Sequence, residues 1–198
     1  MSNDASREAT WDEAAFIALF LKWNRRLNLI ARGDEAVLAS RHIADSLQLA
    51  PLMPPGVTRA IDLGSGGGFP GLVLALATGV PFDLIEADQR KAAFLREAAQ
   101  RLSAPARVHP VRIEAADVAP AALITARALA PLDALLELAA PKLAAGGCCL
   151  FLKGARVAAE LTAAEARWHM RVERFPSRTA PDATILRISE IERVPSRT

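Results

Sequence analysis

The sequence predicts an α/β fold: a mostly parallel, doubly wound sheet with one antiparallel edge strand, preceded by an N-terminal helical cap. Three observations predict it. From residue 60 onward, short apolar runs alternate with helical stretches, as parallel strands joined by crossover helices require. The first run, Ala60-Ile61-Asp62-Leu63, passes at once into a glycine cluster and then into an apolar helical stretch. The last two strand-like segments lie close enough in sequence to form a hairpin, which adds an antiparallel strand to such a sheet. Residues 1–55 read as the helical cap, part of the same compact unit, and residues 56–198 as the sheet domain. A chain of 198 residues that is 52% hydrophobic can bury one full core.

Each element has a local reason. Thr10-Trp11-Asp12-Glu13 reads as a capping box with Thr10 as N-cap. Phe16, Leu19, Phe20, Trp23 and Leu27 then form one apolar stripe, with Lys22, Arg25 and Arg26 mostly off it. A second helix is expected over Glu35–Leu49, stopped by Pro51, Pro54, Pro55 and Gly56. Pro70 suits the first turn of the helix that follows the glycines, where its missing N–H is not needed. Strands are expected at Pro81–Glu86, Ala106–Pro110, Ala122–Ala126 and Gly147–Leu152, with helices at Arg90–Leu102, Leu132–Leu138 and Val157–Trp168. Met170–Phe175 and Thr184–Ile191 complete the chain as strands around a Pro176–Asp182 loop.

Composition narrows the function classes. The formal net charge of +2 is mildly basic and compatible with an RNA partner. Cys148 and Cys149 are adjacent, so in a strand they point to opposite faces and do not bridge. Only His42, His109 and His169 are present, without zinc-ligand spacing, and no metal is expected. Asp4, Glu8 and Asp12 stand where a signal peptide would carry basic residues, and no apolar run nears the roughly 18 residues of a membrane helix. A cytoplasmic protein without membrane contact is expected, with monomer as the default.

The stretch Asp62-Leu63-Gly64-Ser65-Gly66-Gly67-Gly68-Phe69-Pro70-Gly71 carries the chemistry. Strand, glycine turn and helix in that order let a ligand lie against bare backbone, the Rossmann-like arrangement. Gly66, Gly68 and Gly71 match a dinucleotide pattern, and Glu86 falls near the ribose-binding position about 20 residues on. Asp62 argues against NAD, because a carboxylate beside the turn repels a pyrophosphate. It favours S-adenosylmethionine, whose ammonium an acid attracts while also ordering the turn. A P-loop pattern is absent.

These residues resemble the ribosomal RNA small subunit methyltransferase G family, also called glucose-inhibited division protein B. The likeness continues through Trp23-Asn24-x-x-x-Asn28-Leu29, Arg41-His42-Ile43-x-Asp45-Ser46-Leu47, Glu86-x-Asp88-x-Arg90-Lys91, Arg112-Ile113-Glu114, Ala126-Arg127-Ala128 and Leu152-Lys153-Gly154. The resemblance implies a class I S-adenosylmethionine-dependent methyltransferase that modifies N7 of a guanine in 16S ribosomal RNA of the small ribosomal subunit. It implies cofactor contacts at Gly64, Phe69, Ile113, Glu114 and Arg127, with Glu86 on the ribose hydroxyls. It also sets His42 and Arg41 beside the RNA.

The residues agree with that chemistry. Guanine N7 has an in-plane lone pair and loses no proton on methylation, so positioning and electrostatics matter more than a general base. Thr125-Ala126-Arg127-Ala128 accordingly offers no acid or histidine after the fourth strand. The Asn/Asp-Pro-Pro-aromatic motif of adenine amino-methyltransferases is missing, and both cysteines lie in an apolar strand, unlike a nucleophile. Arg127 and Lys153, at strand ends, are the electrostatic candidates, and Lys153 is expected to touch phosphate or the target base. With aromatics at 5% and no tyrosine, RNA is expected to be held through phosphates rather than stacking. A small-molecule methyltransferase and a non-catalytic RNA-binding assembly factor remain as alternatives on the same fold.

Overall fold

The computed structural model describes residues 11–195. Helix α1 spans Glu13–Leu27, and its N-cap is Asp12, whose carboxylate accepts from the Ala15 N–H at 2.8 Å. Thr10, expected as the cap, lies outside the described residues. The helix closes at Asn28, which adopts left-handed backbone (φ 49°). The regular helix expected over Glu35–Leu49 is not formed. A 3-10 turn at Arg32–Val37 leads into a π-helical turn at Leu38–Ile43 and a short α2 at Ala44–Leu47. A long-range contact causes the break. The buried Asn24 side chain on α1 donates to Glu35 Oε1 at 2.6 Å and accepts from the Ile30 N–H at 3.0 Å, pinning the segment before a regular helix can begin.

The sheet strands are β1 (Ala60–Leu63), β2 (Phe82–Ile85), β3 (Ala106–His109), β4 (Ala121–Arg127), β5 (Leu143–Lys153), β6 (Trp168–Pro176) and β7 (Thr184–Arg193). Their spatial order is β3-β2-β1-β4-β5-β7-β6. The first five are mutually parallel, and β7 runs antiparallel to both β5 and β6. The last two strands do form a hairpin. The antiparallel strand, however, sits one place inside the edge, and β6 forms the edge. Burial explains the order: β7 carries Ile185, Leu186 and Ile188, all buried, whereas exposed residues recur along β6. The more apolar strand takes the inner position. Trp168 opens β6 instead of closing the preceding helix, which ends at Glu165.

Helices α3 (Gly71–Thr78), α4 (Gln89–Arg101), α5 (Leu132–Ala139) and α6 (Val157–Glu165) complete the layers. Alternation along the strands sorts side chains into two apolar clusters. Leu84, Leu123, Cys148, Leu150 and Leu152 face one, while Ile61, Ile85, Ile124, Cys149 and Phe151 face the other. The cysteines thus point apart, and both are free thiols. Phe16, Phe20, Leu38 and Ile43 of the N-terminal region join Leu72, Phe94 and Leu95 in the first cluster. Phe16 and Phe20 are fully buried there, each contributing about 1.5–3 kcal/mol. The helices before β1 are therefore core, and they overhang the carboxyl ends of β1 and β4.

Candidate active site

The turn after β1 is built around close backbone approach. Gly66 has φ +52°, and a Cβ there would point into open space, meeting only the Gly64 carbonyl oxygen at 3.7 Å. A side chain would therefore fill the cradle that the bare turn leaves. Gly71 answers a different demand. A Cβ on it would lie 2.4 Å from Asp62 Cβ and 2.7 Å from Asp62 Oδ2, so the helix can pass over the acid only without a side chain.

Asp62 itself is 0% exposed. Its Oδ1 accepts from the Thr125 hydroxyl at 2.6 Å, across the β1–β4 register that pairs these two residues. Its Oδ2 is buried without a hydrogen-bond partner among the described residues. Burial pushes the carboxyl pKa up from 3.8 to about 6, although Thr125 opposes the shift. The Asp62 side chain thus ties β1 to β4, while its backbone carbonyl accepts from the Ser65 hydroxyl in the turn at 3.2 Å.

Glu86 follows β2 and faces the turn. Its Oε2 accepts from the Gly66 N–H at 2.8 Å and its Oε1 from the Asp88 N–H at 2.8 Å. The acid expected to meet ribose hydroxyls thus stands against the middle of the glycine turn. Asp88 caps α4, accepting from the Arg90 N–H at 2.8 Å and the Lys91 N–H at 3.2 Å, so the acid strand end and the helix start are both tied down.

Arg127, at the end of β4, joins the turn to the cap. Its guanidinium donates to His42 Nδ1 at 2.8 Å, lies 3.5 Å from Asp45 Oδ2 and sits 4.9 Å from the Phe69 ring centroid. An arginine can only donate, so Nδ1 accepts and the imidazole is neutral. Burial, then the nearby Arg127 charge, hold the His42 pKa below the usual 6.5. Asp45 is itself held by Gln48 at 3.1 Å and by the Thr179 hydroxyl. His42 and Asp45, spaced as a local pair, thus converge on Arg127 instead of on each other. The π-helical turn carries His42 into this position, a setting where such turns often serve function.

These parts enclose a cleft of about 400 Å³ at the carboxyl ends of β1, β4 and β5. It brings together Gly64, Gly66, Phe69, Arg127, Arg41, His42 and Lys153 from the expected set. Gly68 and Asp62 lie behind the turn, and Glu86 reaches it through Gly66. Ile113 and Glu114 stand apart, on a 3-10 turn after β3 that does not line the cleft. Lys153, expected to touch phosphate or the target base, has its ammonium against Glu160 and the Ala130 carbonyl. Sequence reasoning missed Thr125 as the partner of Asp62, which correct β1–β4 pairing would have found. It also missed Glu160 and Thr179, which no local signal marks. A larger groove of about 610 Å³ lies by Arg59, Pro81 and Pro105, at the opposite ends of the strands. Of its two acids, Asp83 is already paired, meeting Arg59 at 2.6 Å and His109 at 2.7 Å.

The residues fit a cationic nucleoside cofactor: an open glycine cradle, an acid at the end of β2 and a partnerless buried carboxylate oxygen beneath the turn. Comparisons with known proteins agree. In solved structures the fold resembles an O-methyltransferase from Bacillus cereus in complex with SAH, with a TM-score of 0.59 and 16% identity over 89% of this chain and 91% of that one. It also resembles a chain of a fibrillarin/Nop5p complex, with a TM-score of 0.58 and 14% identity over 74% and 81%. At such identities the likeness speaks for the fold alone, the Rossmann-like class I methyltransferase fold. Sequence relatives reach further. The ribosomal RNA small subunit methyltransferase G of Acidiphilium cryptum is 58% identical over 182 residues, 90% of this chain and 84% of its own length. That of Gluconobacter oxydans is 54% identical over 189 residues, 96% and 97%. A family model described as GidB, rRNA small subunit methyltransferase G, matches residues 12–185, from the N-cap of α1 to the start of β7, and the chain belongs to that family.

Proposed function

We propose that this protein transfers a methyl group from S-adenosylmethionine to N7 of a guanine in 16S ribosomal RNA, within the cleft between the glycine turn and the N-terminal cap. The observation that carries the mechanism is the commitment of His42. The imidazole in the cleft already accepts from Arg127, so it is not a free base, and N7 methylation needs none. When bound, the cofactor would supply an electrophilic methyl on its sulfonium to the N7 lone pair, with S-adenosylhomocysteine as the leaving group and a cationic methylguanine as the product. What this chain contributes is binding and orientation. Gly64, Gly66 and Phe69 form the cradle, with Gly68 and Asp62 behind the turn and Glu86 held against it through Gly66; Ile113 and Glu114, outside the cleft lining, are the candidates for the far end of the nucleoside. Arg127 is the orienting group, its direction fixed by His42, Asp45 and Phe69.

In this reading the N-terminal unit expected over residues 1–55 acts, through its described residues 11–55, as the cap over the acceptor side of the sheet domain. Arg41 stands on the rim with 55% of its side chain exposed, paired to Asp34 at 3.5 Å. Exposed Arg25, Arg26 and Arg178 extend the cationic rim for RNA phosphates. Among the described residues no helix is long and apolar enough to cross a membrane, and a ribosomal substrate puts the activity in the cytoplasm. The test is label transfer from S-adenosylmethionine to small ribosomal subunits and to naked 16S RNA, with the product mapped. N7-methylguanosine at a guanine of 16S RNA is the expected result. Label confined to small metabolites, or RNA binding without label, would refute the reading.

A further inference from the structure

Lys153 ends β5 at the cleft, yet it is only 8% exposed. Its ammonium lies 2.5 Å from Glu160 Oε2 on α6 and donates to the Ala130 carbonyl at 2.8 Å. The same Glu160 oxygen accepts from the Leu132 N–H, the first residue of α5, at 3.0 Å. One carboxylate oxygen and one ammonium therefore join three segments: the end of β5, the first half of α6 and the β4–α5 connection. An ammonium has three donors, so two are already committed.

The connection held in this way forms part of the site. Ala128 has φ 50°, a left-handed conformation that an alanine keeps only where its surroundings impose it. Leu129 packs over the glycine turn, its Cδ1 only 2.6 Å from where a Cβ on Gly64 would stand. Ala128 also lines the cleft. We propose that Lys153 is a positioning residue that acts with Glu160 to bolt Ala128–Leu132 across the strand ends, so that Ala128 walls the cleft and Leu129 covers the turn at Gly64. The inference rests on reading that cleft as the methyl-donor site, and it replaces a direct phosphate contact by Lys153.

The two roles predict opposite effects at Glu160. If the pair positions the wall, Lys153→Met and Glu160→Gln each weaken S-adenosylhomocysteine binding and slow transfer to 16S RNA, by about tenfold or more. Neither changes the slope of log RNA affinity against log salt. If Lys153 contacts phosphate, Lys153→Met spares S-adenosylhomocysteine but loses about 0.7–0.9 from that slope, and Glu160→Gln, by freeing the ammonium, tightens RNA binding. That pattern overturns the proposal. Breaking a buried pair also destabilises, so the double variant Lys153→Met/Glu160→Gln is the control, since removing both charges relieves the uncompensated one. Melting temperature should recover in the double variant while S-adenosylhomocysteine affinity stays low, because Ala130 has lost its donor. Recovery of affinity together with stability would reduce the pair to a purely structural role and also overturn the proposal. Failure of the unaltered protein to bind S-adenosylhomocysteine would fall on the methyl-donor reading instead.

Discussion

Replacing Asp62 with asparagine removes a charge buried beneath the glycine turn while keeping an oxygen to accept from Thr125. The folded-state pKa is about 6 against 3.8 for the free group, and burial is the largest cause. At about 1.4 kcal/mol per unit, ionising Asp62 costs roughly 3 kcal/mol more in the folded protein than in the unfolded chain. Between about pH 4 and pH 6 the folded state holds a proton that the unfolded chain has released. Stability from this group is therefore full below pH 4 and is lost as pH rises through 6. Urea unfolding of both proteins at pH 4, 5, 6 and 7 isolates the effect, because other titrating groups cancel in the difference. Whatever its constant offset, the asparagine variant should gain about 2.4 kcal/mol relative to the parent between pH 4 and pH 7, the remainder of the effect falling below pH 4. A difference that is flat across that range would refute the buried-charge argument. The retained charge has a functional counterpart. S-adenosylmethionine is cationic at its ammonium and sulfonium, so the parent's affinity should rise as pH passes through 6, and the rise should vanish in the variant.

Three further perturbations test the site. Gly71→Ala forces a Cβ to within 2.4–2.7 Å of Asp62. Overpacking there should cost about 1–3 kcal/mol, lowering the melting temperature by roughly 3–10 °C, measured by calorimetry. Arg127→Ala should reduce methyl transfer at least ~100-fold while the protein still folds, since Asp45 retains Gln48 and Thr179 as partners; unchanged turnover would remove Arg127 from the mechanism. Glu86→Ala leaves the Gly66 N–H without its acceptor and should weaken S-adenosylhomocysteine binding by about tenfold in isothermal titration.

The glycine turn was legible in the sequence because its demands are local. Positive φ at Gly66 and the missing Cβ at Gly71 are properties of single residues and their immediate neighbours. The strands were legible for a similar reason, since alternation alone sends Cys148 and Cys149 to opposite cores. Their boundaries were less so: β5 begins at Leu143 rather than Gly147, through pairing with Ala121 and a register shift near Leu123, where Gly146 takes left-handed backbone (φ 72°) inside the strand. The second helix failed because Asn24, eleven residues before Glu35, competes for the chain through side-chain hydrogen bonds.

Local chemistry by itself determined the strand, turn and helix that build the cradle, the acids that bracket it, and the family the chain resembles. Tertiary structure alone decided which charges remain available in the cleft. Arg127, His42 and Asp45 meet only when β4 and the cap fold together, and Lys153 finds Glu160 and Ala130 only when α6 and the β4–α5 connection close on β5. A charged side chain in sequence is an open valence. Burial requires that valence to be met by whichever partner the fold brings within reach, and so the partner decides the role.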